Sequence, residues 1–129
     1  MLNNQDEQDL SVAINELHQK AMSLADRAFY AKKEHDFEEA QSTYLEAFEY
    51  EKAAAILLVN DYNQEPTRSV LFRSAANLLL NLPFPNNNHF RQAEKMIAYG
   101  LSGNPPEEIA EELREAWSEV VTFFQQEAA

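Results

Sequence analysis

A chain of 129 residues that is 45% hydrophobic, with two glycines and five prolines, reads as one helix-rich domain over residues 1–129, long enough to remove about two thirds of its surface from water on folding. Without cysteine it can have no disulfide, thiolate metal site or thiol chemistry, and a net charge of −12 argues against an electrostatic grip on nucleic-acid phosphates. Met1 to Glu7 lacks the basic start and apolar core of a secretory signal, and the longest apolar run, Ala53 to Val59, falls short of the ~20 residues that span a bilayer, so a soluble cytoplasmic protein is expected.

From Asp6 to about Lys33, apolar or small residues fall at Leu10, Ile14, Leu17, Ala21, Leu24, Ala28 and Ala31. That alternation of four and three predicts one long helix with a single buried stripe. Asp36, three residues before Glu39, reads as a capping box that starts a second helix. Its facing stripe is Phe37, Ala40, Tyr44, Ala47, Glu51, Ala55 and Leu58, and the turn between the two helices is short enough to force an antiparallel hairpin.

Turn formers from Asn60 to Pro66 break the pattern, because proline disfavours helix in the residue before it. A third helix is expected from about Thr67 to Asn81. Leu71, Phe72, Ala75, Ala76, Leu78, Leu79 and Leu82 give it two apolar sides, which predicts the most buried helix. Pro83-Phe84-Pro85-Asn86-Asn87-Asn88 cannot continue it. Helix four is expected from about His89 to Leu101, with Gly103 suited to a left-handed C-terminal cap. Asn104 and Pro105 then start a fifth helix that buries Ile109, Leu113, Trp117, Val120 and Phe124 and turns its glutamates outward.

The phrase His35-Asp36-Phe37-Glu38-Glu39-Ala40 is echoed by Asn88-His89-Phe90-Arg91-Gln92-Ala93, an offset of 53 residues, so the repeated unit is a helical hairpin. Both hairpins resemble the tetratricopeptide repeat. Ala28 stands at that family's small position in the first leading helix, and Ala40, Tyr44 and Ala47 fit the small, aromatic, small spacing of the trailing one. In the second hairpin Ala76 takes the leading place, and Ala93, Ile97, Gly100 and Pro105 the trailing ones. A regular array repeats every ~34 residues, so the longer offset makes the two repeats degenerate. The resemblance implies an all-α scaffold: two tetratricopeptide-like hairpins and a C-terminal capping helix, about five helices in all. Glu65 to Ala76 and Gly100 to Arg114 are also similar to a group of small bacterial repeat-like proteins, a likeness that adds no activity.

Few residues suggest chemistry. Glu107, Glu108, Glu111, Glu112, Glu115 and Glu119 read as a solvated face with acids near a helix N-terminus. His18, His35 and His89 invite a metal, but Asn15, Lys32 and Asn86 stand where a Glu-x-x-His pattern needs glutamate. No phosphate loop, nucleophile elbow or calcium loop occurs. Neither an enzyme, a metal nor a cofactor is therefore expected.

A binding role is expected instead. Residues 66–104 carry four bases and one acid, whereas residues 1–65 carry 14 acids against five bases and residues 105–129 seven acids against one base. The second hairpin is thus a basic island. Tetratricopeptide domains that grip acidic peptide ends set a basic residue and an asparagine one helical turn apart, and the resemblance carries that role to Arg73 and Asn77, with Arg68 just upstream. Phe84, between two prolines, is either an exposed partner contact or a lid folded onto the core. The expected protein is a peptide- or protein-binding adaptor using the groove of its leading helices, with an acidic or carboxylate-ended ligand at Arg68, Arg73 and Asn77. Two alternatives are homodimerisation through the Leu10 to Ala31 stripe as a coiled coil, and acidic inhibition of a basic partner.

Overall fold

The computed structural model describes residues 4–128, which form five α-helices and a 3-10 turn without a strand. The helices are α1 (Asn4–Lys33), α2 (Phe37–Ile56), α3 (Thr67–Leu80), α4 (Asn87–Ser102) and α5 (Glu107–Ala128), with the 3-10 turn at Tyr62–Gln64. Each packs on the next in the chain, and α3 also packs on α5. The all-α, five-helix expectation is met. No helix among the described residues is long and apolar enough to cross a membrane.

The stripe read on α1 is the face it buries: Ile14, Ala21, Leu24 and Ala28 are buried, and Leu10, Leu17 and Ala31 pack against the same core. Because α2 covers this stripe within the chain, it is not free to pair with a second copy. The helix ends in a Schellman turn. His35 takes φ 63°, its N–H donates to the Lys32 carbonyl, and the Asp36 N–H donates to Ala31 at 2.8 Å. A histidine in the left-handed region is tolerated more readily than a branched residue would be.

Asp36 caps α2 by accepting from the Glu39 N–H at 3.3 Å. Only half of the expected box forms, because the Glu39 side chain turns instead to Arg27 and Thr43. The full capping box is at α4, where Asn86 accepts from the His89 N–H and His89 Nδ1 accepts from the Asn86 N–H. This starts α4 at Asn87, earlier than the sequence suggested. The two echoed phrases therefore sit differently relative to their caps. Ala40 and Ala93 are equally buried, but Phe37 opens α2 and stands 37% exposed, while Phe90 lies one turn inside α4 and stacks on Phe123 at 3.8 Å.

Two further expectations are corrected. Gly103 has φ −89° and no left-handed conformation; its lack of a side chain serves space rather than backbone freedom. On α5 the buried residues are Ala110, Leu113, Ala116 and Val120, and Trp117 is 41% exposed. The face turned to α3 and α4 is narrow enough for alanines, and Trp117 falls at its edge.

Candidate functional site

The residues expected to hold a ligand do not form one site. Arg68 is wholly buried. Its Nη2 donates to the Val59 and Tyr99 carbonyls at 3.0 and 2.7 Å, its Nε donates to Val59, and its Nη1 donates to the Gly100 carbonyl at 3.4 Å. The guanidinium also lies over the rings of Tyr62 and Phe72. It fastens the α2–α3 connector to the last turn of α4 and is closed to a ligand, which corrects its assignment as a binding residue.

Arg73 reaches across to α5 and donates to Glu112 at 2.7 Å, so an acidic ligand would have to displace that carboxylate. Asn77, one turn further on, is exposed; its carbonyl accepts from both the backbone and the side chain of Asn81 at the end of α3. Phe84 is 57% exposed and does not close over the core. Its backbone is clamped on both sides by Gln41, and its ring meets the edge of Phe37 with centroids 6.3 Å apart. The loop is thus fixed while its ring is presented.

A different cluster lies where α1, α2 and α3 meet. The Glu51 carboxylate has no exposure, although it sits in the facing stripe of α2. Both its oxygens lie within reach of His18 Nδ1 on α1, at 2.9 and 3.0 Å, and Ser74 Oγ on α3 donates to Oε2 at 2.5 Å. A buried carboxylate without partners would be costly, and these two satisfy it. His18 retains 35% of its side-chain exposure, so it links the interior acid to the surface.

That surface is a cavity of about 310 Å³ between α1 and α3. From α1 it receives Ser11, Ile14, Asn15 and His18, which follow the helical spacing of one face. From α3 it receives Thr67, Val70 and Leu71 on the same principle, with Pro66 at the rim. Its walls are apolar, its polar groups can all donate hydrogen bonds, and none of its lining residues is acidic. A wider cavity of about 680 Å³ adjoins it, sharing Ser11, Ile14 and Thr67 and bringing in Glu7 and Asp61.

The sequence offered a signal for this site that composition alone hides. Glu51 is the one charged residue in the apolar stripe of α2, and His18 follows Ile14 by one turn on α1. No group of three or more His, Asp or Glu among the described residues is placed to hold a metal. His35 and His89 act in the turn and the cap described above. No family model, curated protein or solved structure matches the chain, so function rests on the chemistry of this channel.

Proposed function

We propose that the chain is a cytoplasmic peptide- or protein-binding scaffold, without catalytic chemistry, whose partner lies in the channel between α1 and α3. The observation that carries this reading is the cavity between those helices, apolar on its walls through Ile14, Val70 and Leu71 and furnished with donors from Ser11, Asn15, His18 and Thr67. Such a combination of apolar walls and a few convergent polar groups is what binding clefts generally present. The tetratricopeptide likeness supports the same reading, in which α1 and α3 are the leading helices of two hairpins. Its small positions Ala28, Ala40, Ala47, Ala76 and Ala93 are fully buried, and Gly100 is buried with them.

The partner's charge is set by what lines the channel. With Arg68 enclosed, Arg73 engaged by Glu112 and Arg91 paired with Glu94 outside the channel, a strongly acidic segment finds no guanidinium lining the channel. A largely apolar segment that brings a few acceptors suits the channel better. Peptides selected on the immobilised protein provide the test. Val70→Arg, which fills the channel with a charged side chain, should weaken a selected peptide by about tenfold or more, with the circular dichroism spectrum unchanged. Binding that ignores Val70→Arg would place the partner elsewhere and end this reading.

A further inference from the structure

The buried acid behind His18 says more about the channel than its shape does. Glu51 has no exposure, and its bonded partners are His18 and Ser74. Of these two, only His18 can carry a compensating positive charge. With Nδ1 committed to Glu51, the polar atom that His18 has left is Nε2, and His18 lines the cavity. A proton on Nε2 would let the ring donate into the cavity while Nδ1 holds Glu51.

We propose that this cavity binds a small aliphatic monocarboxylate, its carboxylate held by His18 and its hydrocarbon body by Ile14, Val70 and Leu71. Three observations converge on that chemistry. In a chain of net charge −12 the cavity has no acid in its lining, and Ser11, Asn15 and Thr67 add hydroxyl and amide donors. The side chains between these donors are aliphatic, which matches a saturated body rather than a charged or sugar-like one. Glu7 and Asp61 stand in the adjoining cavity, so a second negative charge on the ligand would be repelled. At about 310 Å³ the space lies at the lower end of small-molecule sites, a size that suits a short free acid. This goes beyond the scaffold reading, because it assigns the channel a small-molecule ligand.

The test titrates the full ¹⁵N-labelled chain with hexanoate, hexanamide and N-acetyl-alanyl-leucine, read by amide chemical shifts. Hexanoate should give saturable shifts centred on Ile14, His18 and Val70, with a dissociation constant of about 1 mM or below. Hexanamide, which has the same body without the charge, should bind about tenfold more weakly. His18→Gln should bring hexanoate down to the level of the amide. Val70→Asp should abolish hexanoate binding by placing a fixed negative charge on the wall, which keeps the test decisive if His18→Gln fails to fold. Equal affinity for acid and amide, shifts centred elsewhere, or no saturation by about 20 mM would overturn the proposal. Tighter binding of N-acetyl-alanyl-leucine than of hexanoate would overturn it in favour of a chain terminus. The scaffold reading is tested with selected peptides and Val70→Arg, so it stands or falls separately.

Discussion

Gly103 lacks a side chain because Arg68 fills the space one would need. A Cβ on Gly103 would run into Arg68 Nη1 and would stand 3.0 Å from Glu65 Oε2. The guanidinium in turn closes the C-terminal end of α4 by taking the Tyr99 and Gly100 carbonyls. Gly103→Ala should therefore force the guanidinium from its acceptors and cost about 1–3 kcal/mol, as overpacking does. Arg68→Met leaves those carbonyls unpaired and removes the cation 3.9 Å from the Glu65 carboxylate, with an expected loss of about 3–5 kcal/mol. Urea denaturation of both variants measures this, and wild-type stability for Arg68→Met would refute the structural role.

Arg73 provides the contrast. Its bond to Glu112 is short, but the Glu112 side chain is 41% exposed, so solvent screens the pair and side-chain ordering offsets much of its attraction. Arg73→Ala should cost less than about 1 kcal/mol. A loss near the value for Arg68→Met would mean that α5 is held on α3 chiefly by this ion pair rather than by Ala116 and its neighbours.

Ala40 and Ala93 have no exposure and stand where each trailing helix meets its neighbours. Leucine at either position should overpack the contact and lower stability by about 1–3 kcal/mol. The readout is the melting temperature of each single variant, and an unchanged value for both would refute the equivalence of the two hairpins.

Burial pushes the Tyr44 hydroxyl above its ordinary pKa of 10.0. The unfolded chain then releases this proton at lower pH than the folded chain does. Tyr44 thus contributes stability that is fully present below pH 10.0 and is lost as pH rises through the higher folded value. Stability measured against pH should fall on the alkaline side of that point, and Tyr44→Phe should flatten the fall. An identical alkaline slope in the variant would assign the effect to other groups.

How far the sequence could be read is clearest on three residues. The stripe of α1 and the cap at Asp36 depend on spacing within a few residues, and both are found where the pattern puts them. Arg68 looked accessible because an arginine near a helix start normally is. Its burial comes from Val59, Tyr99 and Gly100, which only the folded chain brings around it. Trp117 fits the period of the α5 stripe, yet the period fixes a direction and not a depth, and at the edge of a contact made by alanines a tryptophan stays partly outside. His18 stands out in the sequence only as one of three histidines and not as a partner of Glu51, since 33 residues separate the two. Pairings of that kind belong to packing rather than to pattern.

The interior acid also bears on why α1, α2 and α3 adopt one mutual alignment. Much of their contact is built from alanine: Ala21, Ala28, Ala47, Ala54, Ala55, Ala75 and Ala76 are all without exposure. Between these alanines stand Leu24, Tyr44, Phe48, Leu71 and Phe72, also buried, so a lengthwise slip by one turn would already misplace the large side chains. Such a slip would carry Glu51 about 5.4 Å from His18 and Ser74 and leave a carboxylate stranded in the interior. The polar triple thus adds a penalty of its own to any other longitudinal setting of the three helices, on top of the one their large apolar side chains impose.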